Sequence, residues 1–350
     1  MAPDATGSTA PLRDFAYNET AIFATLDGLP MTVTTLEQDA PGTTVARGER
    51  CATVEVQTLL LIVAVYGGWL TITFLYGRWP LAIVAPIAVL LITLHSSLQH
   101  EIVHGHPTRW HAFNRVLGMA PLSLWLPLER YRQTHLAHHN DRRLTDPVDD
   151  PESYYWTPEQ WAQLKPITRA LLQVQLTLAG RVTLGAFWSI GRFLRFEYHA
   201  VIRDQHRARA IWFEHLLWCA PVVLWLKLVC GMPLWLYFLA MVIPAHSLQL
   251  IRSFAEHRAK AEPRERIAIV ERSWILGPLF LFNNLHSLHH EAPRIPWYRY
   301  NGRYRLMRDR LIAESGGLVY STYFDVARRF LFRAHDAPLH PSGRVPLRLA

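Results

Sequence analysis

The chain has 350 residues, half of them hydrophobic and only 18% charged, with 13 Trp and a mean hydropathy just above zero. That mixture argues against one or two ordinary soluble domains and suits a multi-pass membrane protein with a substantial polar part. The net charge of +8 points to an anionic membrane surface rather than nucleic acid, because apolar spans are present.

In chain order, residues 1–54 are a polar lead-in with scattered Pro, Gly, Thr and Asp and no apolar core for a signal peptide. A membrane domain is expected over 55–335, with spans at 58–76, 81–98, 211–230 and 233–251. Gly77-Arg78-Trp79-Pro80 and Gly231-Met232-Pro233 make each pair a tight hairpin. Gly118–Leu128 is apolar but too short to span, so it is expected to dip into the interface or pack beneath a site. Residues 167–199 read as a helix lying in the interface. Ile267–Phe282 and Tyr320–Phe332 are also placed at the membrane surface, and 336–350 read as a flexible tail. Cys51, Cys219 and Cys230 show neither metal-ligand spacing nor a disulfide framework. The fold class expected is all-α: four transmembrane helices in two hairpins, capped by a helical cytoplasmic domain.

The polar segments carry three histidine clusters: His100-x-x-x-His104, His135-x-x-His138-His139 and His286-x-x-His289-His290. Residues three and four apart share a helix face, and neutral imidazole is the commonest metal ligand. Eight imidazoles are too many for one ion and suit a pair of metals held between facing helices. His100-Glu101-x-x-His104 also fits the zinc-protease pattern. A zinc protease needs one further ligand, though, not two H-x-x-H-H clusters. Charge sets the orientation: Arg78 and Lys227 lie on one side and the remaining basic residues on the other, which the positive-inside rule places in the cytoplasm together with both termini and all three clusters.

Over about residues 55–335, these features resemble the integral-membrane fatty acid desaturase superfamily, which also contains lipid hydroxylases and carotenoid ketolases. The likeness rests on the three boxes in order, on a hairpin before them and another between the second and third, and on Glu291-Ala292-Pro293-Arg294-Ile295-Pro296-Trp297-Tyr298 after the third. The resemblance implies two non-haem irons ligated by His100, His104, His135, His138, His139, His286, His289 and His290, with O2 as co-substrate. It makes His257 a ninth ligand and Asn284 a water-mediated contact, with His106 and His111 beside them. It implies a lipid or acyl substrate, a separate ferredoxin or cytochrome-type electron donor and a bacterial inner-membrane location. No side chain can abstract hydrogen from an unactivated C–H bond, so the metals must carry that step.

Glu101, Asp141, Asp146, Glu256 and Glu291 are candidates to orient the imidazoles. Asp149, Asp150 and Glu152 read as solvated surface charges. His95, His199, His206 and His215 read as structural, and His246 as a histidine hydrogen-bonded within the bundle or set in a tunnel wall. The competing readings are a hydroxylase or carotenoid ketolase using the same centre, and a non-enzymatic haem or metal-transport protein.

Overall fold

The structure, a computed structural model, describes residues 54–139 and 141–341, with backbone alone at Asp141. The expected lead-in therefore lies almost wholly outside the described residues.

The chain is mostly helical. α1 (Val56–Phe74) and α2 (Leu81–Val103) form the first hairpin. α1 has no charged residue and α2 none before Glu101. The turn between them works because Gly77 adopts φ +80°, a conformation a Cβ would resist, and Pro80 pre-sets the start of α2. α3 (His111–Met119) and α4 (Leu128–His138) follow, then α5 (Pro166–Gln175) and α6 (Leu178–Arg203). The second hairpin is α7 (Ala208–Leu224), which widens into a π-turn over Trp225–Val229, and α8 (Leu234–Glu256). Gly231 (φ +63°) and Pro233 repeat the device of the first hairpin.

Four helical stretches are long and apolar enough to cross a membrane: Val56–Phe74, Leu81–Val103, Gln205–Val229 and Leu234–Glu256. Between 28% and 39% of each apolar window is buried inside the chain, so most of that surface faces outward, as hydrocarbon solvent allows. α2 and α8 continue past the expected span ends, to Val103 and Glu256, because their last turns are buried against the polar segments instead of emerging into water.

Trp69 and Ile72 of α1, Val84, Ala88 and Ile92 of α2, Val222 and Leu226 of the third span, and Tyr237, Met241 and Ala245 of α8 share one core with Leu122. Lipid tails are as apolar as these side chains, so close packing and interhelical hydrogen bonds must hold the bundle. Trp69 Nε1 donates to the Tyr237 hydroxyl (2.9 Å), Trp225 Nε1 to Thr73 Oγ1 (2.9 Å) and Gln249 Nε2 to the Thr93 carbonyl (2.8 Å). Such links are worth about 0.6 kcal/mol each.

The short apolar stretch between α3 and α4 packs inside the bundle as a re-entrant loop. Irregular backbone at that depth needs its carbonyls satisfied by protein. Tyr66 donates to Ala120 O (3.3 Å), Tyr237 to Leu122 O (2.7 Å) and His215 Nε2 to Leu124 O (3.0 Å). His215 is structural here, as expected, and so is His95, whose Nε2 meets the Tyr66 hydroxyl at 3.0 Å.

The single interfacial helix expected over 167–199 is two helices, broken at Leu176–Thr177. The break requires Gly180: a Cβ there would lie 2.0 Å from Val174 O. α6 packs along α8. Ile267–Phe282 is not one interfacial segment either. Ile269–Val270 (β1) pairs in parallel with Val319–Tyr320 (β2), and Ile267, Ile269 and Val270 are buried. Trp274 and Ile275 are the exposed part, at 85% and 86%. α9 (His286–Glu291), α10 (Tyr300–Glu314) and α11 (Tyr323–Phe330) complete the fold. Of the expected tail, residues 336–341 form a strap against residues 145–156. Trp156 N donates to Pro338 O (2.9 Å), His340 N to Trp156 O (3.1 Å) and the Tyr155 hydroxyl to Asp336.

Candidate metal centre

The three histidine clusters come together where α2 and α8 end. His100 lies in the last turn of α2 and His104 caps it; His135 and His138 lie in the last turn of α4 and His139 caps it. His286, His289 and His290 lie on α9, and His257 caps α8. A buried ion pair fixes the angle of α4: Arg130 Nε sits 2.7 Å from Glu197 Oε1 of α6, and Trp212 Nε1 donates to Glu197 Oε2 (2.8 Å).

Two groups result, each able to hold a metal ion: His100, His104, His135 and His289, and His138, His257, His286 and His290. His139 adjoins the first group. Its Nε2 lies 3.2 Å from that of His135 and 2.9 Å from that of His289, and its ring stacks on His290 with centroids 4.4 Å apart. In the second group, His257 Nε2 lies 3.0 Å from both His138 Nε2 and His286 Nε2. Adjacent ligands on a metal with bonds of about 2.1 Å stand about 3.0 Å apart at a right angle, so the donor spacing fits an ion.

The far side of each ring makes the same point. His135 Nδ1 lies 3.0 Å from Glu152 Oε1, His138 Nδ1 2.9 Å from Asp150 Oδ1, and His286 Nδ1 3.0 Å from Asn283 Oδ1 and 3.2 Å from Glu256 Oε1. His289 Nδ1 meets the Tyr300 hydroxyl at 3.1 Å and His257 Nδ1 the Arg266 carbonyl at 3.3 Å. These acceptors place the ring protons on Nδ1, which leaves Nε2 lone pairs facing one another. Lone pairs about 3 Å apart repel unless a cation sits between them. Burial, followed by the neighbouring imidazoles, holds His104, His257, His286 and His289 well below the usual histidine range, so they are neutral and ready to ligate. His138 is the exception. Burial pushes it down, but Asp150 and Glu152 outweigh that and raise it to about 9. A metal entering this group takes the place of that proton.

The remaining candidates divide. Glu256 is in place beside His286, and Glu101 Oε1 lies 3.6 Å from His100 Nδ1. Glu291 instead pairs with Arg310 (2.6 Å), and Asp146 accepts from the backbone of Val148 and Asp149 (2.9 and 3.1 Å) to shape its own turn. His106 Nδ1 is held by Glu55 (2.5 Å), and His111 is exposed at the start of α3. Asn284 donates to Val270 O (2.7 Å) and so tethers β1. The Asp141 side chain lies outside the described residues. Asp150 and Glu152, expected as solvated charges, hold His138 and His135, because the Pro147–Pro151 turn brings the chain back beneath α4. Asn283 and Tyr300 carried no motif, although Asn283 stands three residues before His286, in the turn that leads into α9. His246 bonds to Ser189 Oγ (2.7 Å) within the bundle and lines a cavity there.

A second cavity, of about 610 Å³, opens at the surface beside His104 and His139. His111, Arg115, Arg132 and Arg294 line it against one acid, Glu129.

Four helices long enough to span a membrane, with two histidine groups at one end that could hold metal ions, define a membrane protein with a candidate metal centre. The model of the fatty acid desaturase family matches residues 77–324, more than two thirds of the chain, and covers every box histidine. The chain belongs to the fatty acid desaturase family, and the family implies an oxidoreductase. No curated protein matches it.

Proposed function

We propose that this protein is a membrane di-iron enzyme that uses O2 and external electrons to desaturate the acyl chain of a fatty acid or lipid. The observation that carries the reading is the convergence of nine imidazoles, eight of them with Nε2 atoms spaced for ligation and five with Nδ1 held by an acceptor. His100, His104, His135, His139 and His289 would hold one iron, and His138, His257, His286 and His290 the other. When bound and reduced, the irons supply the oxygen activation and C–H cleavage that no side chain can perform.

The chain's own residues orient and insulate. Asp150, Glu152, Asn283, Glu256 and Tyr300 set the imidazole rings, and the bundle keeps the reacting chain away from water. We place the histidine face and both termini in the cytoplasm from the charge asymmetry of the loops, and the membrane as a bacterial inner membrane from the resemblance of Glu291–Tyr298 to bacterial members. The basic rim around Arg115, Arg132 and Arg294 suits an acidic ferredoxin or cytochrome donor. A haem carrier or transporter fits poorly, since the nitrogens crowd within contact of one another and lie at the span ends.

The test is expression with a compatible reductase in a host supplied with fatty lipids and carotenoids, with His138→Ala as control and lipid extracts read by mass spectrometry. A new acyl species two hydrogens lighter supports desaturation. A species heavier by one oxygen, or a ketocarotenoid, replaces it with the hydroxylase or ketolase reading. Identical extracts from an iron-loaded protein refute desaturation of the lipids supplied.

A further inference from the structure

On the bundle side of the histidines, a cavity of about 160 Å³ lies between α2, the re-entrant loop and α8. Its walls differ along its length. Ile92, Val242 and Ala245 line the part within the bilayer; His100, Tyr131 and Arg252 line the part at the metal groups. Ile92 and His100 stand eight residues apart on α2 (100 − 92), a rise of about 12 Å.

Most polar groups in this wall are already satisfied by protein. Gln99 donates to Gly118 O (2.9 Å), Gln249 to Thr93 O (2.8 Å), and His246 bonds to Ser189 (2.7 Å). Two are not. Among the described residues no group takes up the Tyr131 hydroxyl, whose ring lies 5.4 Å from that of His135. Arg252 makes one ion pair, Nε to Glu256 Oε1 at 3.3 Å, and its terminal Nη donors have no acceptor. Glu256 Oε1 also lies 3.2 Å from His286 Nδ1, which places Arg252 beside the second group. A guanidinium and a phenol turned without acceptors into a membrane bundle are costly, unless a ligand supplies the acceptor.

We propose that this cavity binds a lipid carrying an acceptor oxygen (a hydroxyl, carbonyl or carboxylate) within a few atoms of the carbon that reacts, the oxygen held by Tyr131 and Arg252. The apolar body lies toward Ile92. A plain methylene chain at the metals would leave both donors bare. The identity of the reacting carbon rests on the desaturase-type reading; the preference for oxygen does not require turnover.

The experiment uses full-length, iron-loaded protein in nanodiscs and four probes competing against tritiated octadecanol: octadecane, octadecanol, octadecanoic acid and a mid-chain octadecanol. The oxygen-bearing probes should bind about tenfold more tightly than octadecane. Tyr131→Phe and Arg252→Met should each cut that preference severalfold while leaving octadecane unchanged. Tyr131→Phe should keep wild-type iron, so the comparison stands even if Arg252→Met loads poorly through Glu256. The tightest of the three oxygen-bearing probes tells whether the oxygen is a terminal carboxylate, a terminal hydroxyl or a hydroxyl along the chain. Octadecane competing as well as the others, no probe competing, or Tyr131→Phe weakening all four equally overturns the proposal. Loss of iron or of any oxidised product with the preference intact overturns the enzyme reading instead.

Discussion

Asp150 offers the sharpest test of how the second metal group is held. It is buried, and its carboxylate accepts three hydrogen bonds: Oδ1 from His138 Nδ1 (2.9 Å) and Glu152 N (2.9 Å), and Oδ2 from Thr145 N (2.8 Å). Truncation to Ala would strand three donors, two of them buried at about 1–3 kcal/mol each, a large fraction of the stability of a whole domain. Asp150→Asn is therefore the informative change. An amide keeps the shape and one oxygen, but it presents N–H to a donor and removes the charge opposite His138. Loss of such a partner lowers metal affinity about 10- to 100-fold. The assay is iron retained per protein across a chelator series. The midpoint should fall by that factor in Asp150→Asn and stay put in Asp149→Asn, whose neighbour Arg143 is 4.0 Å away at the surface. An unshifted midpoint in Asp150→Asn would refute the argument that this carboxylate orients His138.

His257→Ala should lose iron from one group, measured as iron per protein, whereas His215→Ala should load normally because His215 serves the re-entrant loop. If the two behave alike, His257 is no ligand. Gly180→Ala should lower the thermal midpoint, costing about 1–3 kcal/mol or more, against a neutral or stabilising Gly191→Ala where nothing lies within 4 Å; equal midpoints would contradict the 2.0 Å approach. The metal-free protein should be most stable near pH 6.5. Below that, the buried neutral histidines lose stability as the unfolded chain takes up protons; above it, the His138 pair loses stability as pH rises through about 9. A flat alkaline limb in calorimetry would rule out the Asp150–His138 coupling.

The histidine spacing and the four apolar runs were legible because each is a local pattern read against one periodicity. His257 was reached through a family likeness rather than through spacing. What the sequence concealed depends on the return path of the chain. Asp150 and Glu152 sit in a run of Asp and Pro that looks like any solvated loop, and only the turn beneath α4 makes them partners of the imidazoles. The β1–β2 pair is two residues per strand, too short for alternation to register. The stretch before α4 is visibly too short to span, but the hydroxyl and imidazole groups that allow it to enter the bundle come from α1, α7 and α8.

The strap at residues 336–341 bears on the order of assembly. Neither histidine group has all its members until His289 has been made, and three of the four in the second group come at or after His257. The loop that carries Asp150 and Glu152 is braced later still, when Pro338 and His340 close on Trp156. A chain emerging from the ribosome N-terminus first can insert both hairpins with its imidazoles still scattered. Metal loading thus becomes a late event, and a protein shortened by its final stretch would reach the membrane intact yet hold its metals loosely.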